Sequence, residues 1–383
     1  MWLFLLSLVL IVYTMVGYPL LLKFLVKHVK KKLIYRNTRF FPTVTCIITA
    51  HNEEAVILKK LQNLESCVYP DELLDIIIAS DFSEDKTNSI VQKYIDEYKG
   101  KRRIYLHQTK EHKGKTNAQN EAVALAKGEI LVFSDANALL DSRSICRLAQ
   151  AFSDDSIGYV TGKLVYTNAV ESTTSNSECN YWDYDLQMRK WESDIGSITA
   201  GNGALYAIRR SIYTNIPLTY SHDSYFPPYV VVQGKRAIFD EQAIAYEKAG
   251  ETNEDEFKRK IRMSRNIFSL NYILPQKYNV VRNGWFTIFY LSHRTFRNNL
   301  YLFHIILLLT NIYLVNQSPL FSFILIGQCL VYGCALLGIV WKNPILHMVY
   351  YYVLTLCAQL VGVIKEITGQ SKPTWGKAES TRK

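Results

Sequence analysis

At 383 residues, 49% of them hydrophobic, the chain is long enough for one large domain together with membrane segments and far too long for a tethered peptide. Its formal charge of +10 comes without any basic helix interleaved with base-stacking aromatics, which sets nucleic acid aside and leaves anionic membrane lipids as the partner of the basic residues. Seven cysteines with no CxxC pair argue against a disulfide framework or a zinc site and agree with a reducing cytoplasm.

Residues 1–22, MWLFLLSLVLIVYTMVGYPLLL, carry no charge and match the roughly 20 residues an α-helix needs to cross a bilayer. They lack a basic start and run into KHVKKKLIYR instead of a small-residue cleavage site, so residues 1–26 read as a transmembrane anchor and not as a signal peptide. Lys23, Lys27, Lys30, Lys31, Lys32, Arg36 and Arg39 all precede the first acidic residue, Glu53, and residues 27–41 form a basic juxtamembrane linker. By the positive-inside rule the domain that follows is cytoplasmic, at the cell (inner) membrane.

From residue 42 to 280 short apolar strands alternate with helix-period segments. VTCIIT (44–49) precedes a helix with Ile57, Leu61 and Leu64 on one face, and DIIIAS (75–80) precedes Ile90, Tyr94 and Tyr98. RIYLHQ (103–108) leads to NAQNEAVALA, and EILVFS (129–134) to ALLDSRSICRLAQAF. This order predicts an α/β fold with a mainly parallel sheet and helices on both faces.

Ligands of such sheets sit beyond the carboxyl ends of the strands, and every strand delivers polar residues there. The first brings Asn52, Glu53 and Glu54, the second Asp81, Ser83 and Asp85, the third leads to Lys113 and Lys115, and the fourth brings Asp135 and Asn137. Any one of these is explained as a helix N-cap, as Ser134 or Asp135 would be for the next helix; four together point to a ligand. No GxGxxG or GxxxxGK[ST] fingerprint is present to cradle phosphate. Carboxylates facing a phosphate need a divalent cation between them, and Mg²⁺ or Mn²⁺ prefers such oxygen ligands, so the strand ends predict a nucleoside diphosphate held through a metal.

Farther along, YWDYDLQMRKWES (181–193) sets Tyr181, Tyr184, Met188 and Trp191 at helical spacing, a stripe that suits a core better than a ligand platform. In GNGALYAIRR (201–210), Gly201 and Gly203 permit close backbone approach or simply make a turn. Arg262 and Arg265 share a helix face, available to a diphosphate or to salt bridges with Glu254, Asp255 and Glu256. Residues 281–299, aromatic with Arg294 and Arg297 at helical spacing, suit an interfacial amphipathic helix or a buried one.

Transmembrane α-helices are expected again over 300–366: residues 298–341 carry no formal charge and NQSP (316–319) divides them into two spans, with 343–364 as a third. Three spans would put the basic tail, 367–383, outside. Positive-inside bias favours it inside, which makes 343–364, bearing His347, Tyr350, Tyr351, Tyr352 and Gln359, the segment expected to be interfacial or re-entrant.

TAHNEE, ASDFSEDKT, KGKTNAQNEA, FSDAN, TGKLVY, GNGALYAIRR and HDSYFPPYVVVQGKRAIFDEQAIAYE occur in this order, and over about residues 42–300 the chain resembles the membrane-bound family 2 glycosyltransferases. The resemblance implies a GT-A fold, a nucleotide-sugar donor, usually a UDP-sugar, and transfer of a hexose with inversion to a lipid-linked or growing saccharide acceptor. It implies a nucleotide-sugar site over Ala50, Asn52, Glu53, Asp81, Lys115 and Asp135, with Glu53 and Asp81 at uracil and ribose and Lys115 by the nucleotide. The DxD-type metal motif falls on Asp135 and Asn137, and the catalytic base on Asp223, which takes the proton of the acceptor hydroxyl. Gly201, Asn202, Gly203, His222, Arg262 and Arg265 fall on the acceptor or diphosphate side.

Three departures stand out. Asn137 replaces the second carboxylate of the motif, His222 stands where relatives often have an acid, and MSRNIF lacks the Gln and Trp of the Gln-x-x-Arg-Trp pattern of polymer-secreting synthases. The last weakens a processive synthase as the alternative; the first two motivate a non-catalytic membrane nucleotide-sugar sensor as the other.

Overall fold

The computed structural model describes residues 1–168, 173–250, 253–341 and 343–374, and the side chains of residues 173–181 (Tyr181 among them) and 253 and the tail beyond Thr374 lie outside that description. Among the described residues, eight strands form one mixed sheet: β1 (Val44–Ala50), β2 (Leu74–Ser80), β3 (Arg103–Gln108), β4 (Ile130–Asp135), β5 (Leu139–Leu140), β6 (Ile157–Tyr166), β7 (Leu205–Arg209) and β8 (Arg236–Glu247). Their spatial order is β3-β2-β1-β4-β7-β6-β8-β5. The first four strands are parallel, as the alternation of strand and helix predicts. β7 enters antiparallel between β4 and β6, β8 runs parallel to β6, and the two-residue β5 closes antiparallel on β8.

β1 and β2 are buried along almost their whole length because helices cover both faces of the sheet, the usual state of parallel strands. Successive side chains feed opposite cores. Cys46 and Ile48 pack with Ile57, Leu61 and Leu64, whereas Ile47, Ile77 and Phe133 pack with Ala118, Ala122 and Phe226. Of the stripe on the helix Thr173–Ile195, Met188 is a core residue packed with Tyr18, Leu22 and Phe289, and Trp191 lies partly buried against the same cluster, but Tyr184 is 40% exposed, so the stripe is only in part a core face.

Among the described residues, three helices are long and apolar enough to cross a membrane: Trp2–His28, Pro319–Val340 and Pro344–Ile367. The segment expected to be interfacial or re-entrant, 343–364, falls in the 24-residue helix Pro344–Ile367, which is long enough to cross, and the short apolar helix is Leu300–Leu314. Its 15 residues rise only about 22 Å at about 1.5 Å per residue, less than the ~30 Å hydrocarbon core. Sequence hydropathy misses this because the span is shortened by structure: the helix starts late, after a π-helical stretch at Tyr290–Phe296, and Ser318 with Pro319 begins the next one. Residues 281–299 break at Gly284 (φ 56°), and Phe286 and Tyr290 join the core beneath the sheet.

Candidate active site

The carboxyl ends of β1, β2 and β4 converge on a cavity of about 320 Å³. Ala50, Glu53, Asp81, Lys115, Asp135, Asn137, Asn202, Gly203, Asp223, Arg262 and Arg265 line it. Asn52, Gly201 and His222 do not. Asn52, in the left-handed region at φ 53°, spends its Oδ1 accepting from the backbone N–H of Glu84 at 2.8 Å, which braces the loop after β2. Gly201 lies behind the cavity: its N–H donates to the Asp223 carbonyl at 2.8 Å, and a Cβ there would collide with the Tyr159 hydroxyl. His222 turns into the core, with Nδ1 2.7 Å from the Tyr206 hydroxyl and its ring edge-on to Phe133. Burial, helped by Lys115, pushes its pKa well below the usual histidine value, so it stays a neutral core residue.

Asp81 is held by three donors. Its carboxylate accepts from the backbone N–H groups of Lys113 at 3.2 Å and Gly114 at 2.8 Å, and pairs with His112 Nδ1 at 2.8 Å. These fill most of a carboxylate's roughly four acceptor positions. Gly114 has φ 93°, which glycine adopts without strain, and that turn aims its N–H at Asp81 before the helix Lys115–Leu125 begins. His112 stacks on His51 with ring centroids 4.0 Å apart, and both line the cavity.

His51, Asp81 and His112 bring three ligand atoms within 4.8 Å of one another, a grouping consistent with a divalent cation. An imidazole lone pair lies in the ring plane, so two rings only 13° from parallel must rotate before both address one ion. The second set of donors is Asp135 and Asn137 at the end of β4, oxygen ligands of the kind Mg²⁺ or Mn²⁺ takes. Asp135 already attracts a cation: the Lys115 ammonium is paired with its carboxylate.

Sequence reasoning missed Lys60. It sits fully buried in the helix Ile57–Glu65, under the metal-motif loop, and its ammonium donates to Ser134 Oγ at 2.8 Å and to the Ala138 carbonyl, on either side of Asp135 and Asn137. Burial pushes its pKa down to about 8. Nothing in ILKKLQNLE distinguishes it from Lys59.

A buried ionic network supports the opposite wall. Arg189 donates to the Gly201 carbonyl at 2.5 Å and pairs with Asp185 at 2.6 Å. His293 bridges Asp185 and Glu192 at 3.0 and 2.7 Å, Arg297 reaches Asp185 at 3.0 Å, and the Tyr18 hydroxyl of the first helix donates to Glu192 at 2.6 Å. Burial alone would raise the Asp185 carboxyl; Arg189 foremost, then His293 and Arg297, hold it well below the usual carboxylate range. The Gly201 loop, which holds the Asp223 carbonyl, is thus tied to Tyr18 of the N-terminal apolar helix and to His293 and Arg297. At the cavity mouth Arg265 donates to the carbonyls of Lys372 and Pro373, at 2.6 and 3.2 Å.

Comparison with known proteins matches residues 45–216 to the model of the family described as Glycosyl transferase family 2. "Probable glycosyltransferase YdaM" of Bacillus subtilis is 27% identical over 66% of this chain and 62% of its own length. A beta-monoglucosyldiacylglycerol synthase of Trichormus variabilis is 29% identical over 42% of this chain and 35% of its own. The chain therefore spans less than two thirds of either relative. A mannosyltransferase of Pyrobaculum calidifontis, solved with GDP-Man and Mn²⁺, shares the fold with a TM-score of 0.70, at 20% identity over 96% of this chain and 99% of that one. The sheet has the GT-A arrangement, its strand ends meet at one polar cavity, and residues 45–216, which carry most of it, are similar to glycosyl transferase family 2.

Proposed function

We propose that the protein transfers a hexose from a UDP-sugar, with inversion, to a lipid-linked or growing saccharide acceptor at the cytoplasmic face of the cell membrane. The observation that carries this reading is one cavity lined by Asp135, Asn137 and Asp223 in a chain with three membrane-length helices. Glu53 and Asp81 take the uracil and ribose, beside the stacked His51 and His112. Asp135 and Asn137 hold Mg²⁺ or Mn²⁺, which when bound supplies positive charge to the diphosphate. Lys115, Arg262 and Arg265 face the same space and add to that charge.

Asp223 lies in the first turn of the helix His222–Val232, its backbone carbonyl fixed by Gly201. It accepts the proton of the acceptor hydroxyl as that oxygen bonds to the anomeric carbon; the bond from that carbon to the diphosphate oxygen breaks, and UDP leaves with the electron pair. Trp182, Met263 and Leu270 give the cavity an apolar side that suits a lipid-linked acceptor. A glucosyldiacylglycerol synthase among the relatives supports the same acceptor class. The test is to offer the purified full chain UDP- and GDP-hexoses with lipid and saccharide acceptors and weigh the products. Addition of one hexose from a UDP-sugar is expected; consumption of no donor would overturn the reading.

A further inference from the structure

The second carboxylate that the motif lacks at Asn137 is present in space on another strand. β5 pairs antiparallel with β8, Leu139 opposite Tyr246 and Leu140 opposite Ala245. Continuing that register toward the amino end of β5 sets Ala138 opposite the last residue of β8, Glu247, and Asn137 one residue diagonal to it. The side chains meet: Asn137 Nδ2 donates to Glu247 Oε1 at 2.6 Å. Both residues, with Asp135, line the same cavity.

The backbone of Glu247 is pinned. It pairs with Tyr166 of β6, and its carbonyl accepts from the Thr167 N–H at 2.9 Å, so this residue cannot drift from the end of β4 without opening the sheet. From beneath, Lys60 braces the intervening loop through Ser134 and Ala138. An amide at 137 is then the appropriate partner. A second carboxylate 2.6 Å from Glu247 would set two like charges side by side, whereas Asn137 donates to Glu247 through its nitrogen and keeps its oxygen available as a neutral hard ligand.

From these contacts we infer that Glu247 supplies the missing charge of the metal motif, so that a hard divalent cation is held by Asp135, Asn137 and Glu247. The inference rests on the cation of the proposed function. It accounts for how a motif with one carboxylate keeps the two negative charges that Mg²⁺ or Mn²⁺ needs beside a diphosphate. It also makes residues 137 and 247 a matched pair, one amide and one carboxylate, whose identities are exchangeable.

The test measures Mn²⁺ binding directly, by the electron paramagnetic resonance signal of free Mn²⁺ over the full chain in detergent with UDP present. Glu247→Gln leaves two amides facing each other and should weaken Mn²⁺ at least about 10-fold. The double variant Glu247→Gln with Asn137→Asp exchanges the pair, Gln donating to the new Asp, and should regain most of the lost affinity. Wild-type affinity in Glu247→Gln, or a double variant as weak as the single, would overturn the role of Glu247 while leaving the cation on Asp135 and Asn137. A native protein that binds no Mn²⁺ with UDP present would overturn the cation site itself and Glu247 with it.

Discussion

Lys60 braces the loop that follows β4, because its buried ammonium donates to two groups flanking Asp135 and Asn137. Lys60→Met keeps the length of the side chain but leaves the Ala138 carbonyl without that donor, a loss of about 1–3 kcal/mol against which relief from burying a charge is set. The two effects separate with pH. The folded protein releases the Lys60 proton near pH 8, while an unfolded chain keeps it to about 10.5, so across that window the unfolded state binds more protons and stability rises with pH. The thermal midpoint of wild type relative to Lys60→Met should therefore climb between pH 8 and pH 10, by the equivalent of about 1 kcal/mol per unit. Cys46 and Cys67, whose thiols burial pushes up to about 12 and about 11, are common to both proteins and cancel in the difference. Parallel midpoints would show that Lys60 is not buried as a charge. This residue also marks a limit of sequence reading: Asp135 and Asn137 are legible because a polar pair ends an apolar strand, but Lys60 and Glu247 acquire meaning only when α/β packing brings them under and beside that pair.

At the scale of elements, the first four strands are legible because each is an apolar run followed by a helix-period segment. The second half of the sheet is not. β7 runs against its neighbours, β8 changes register against β6 after Gly162, and β5 is two residues long, so no periodicity marks them. Yet these strands deliver Glu247 and the wall behind Asp223. That wall depends on the helix Thr173–Ile195, where Arg189 holds Gly201. Arg189→Met should remove the donor to the Gly201 carbonyl and one of three partners of Asp185, costing about 3 kcal/mol, the low end for a broken buried pair because His293 and Arg297 remain. Transfer should fall along with the thermal midpoint. A variant with the wild-type midpoint and rate would mean the network does not position the loop.

For the whole molecule, the tail returns to the catalytic domain: Lys372 and Pro373 accept from Arg265 at the cavity mouth, and Ser371 Oγ donates to the Arg265 carbonyl at 3.2 Å. In the proposed topology Pro319–Val340 and Pro344–Ile367, both long enough to cross, do so as a pair, with Leu300–Leu314 too short to add a third crossing. A Gln370→Cys variant in intact cells should stay unlabelled by an impermeant thiol reagent under conditions that label an external cysteine; labelling would contradict a tail on the catalytic side. The hydropathy of the sequence locates these helices but not the short one, since helix length depends on where turns fall. All of this architecture serves one proposed act, removal of an acceptor proton by Asp223 in a cavity that holds the donor. Asp223→Asn changes the shape little and abolishes the base, so UDP binding should stay near wild type while hexose transfer falls on the order of 10² or more. UDP affinity and turnover measured side by side on the two proteins test this directly. A wild-type rate in Asp223→Asn, at unchanged UDP affinity, would contradict the account.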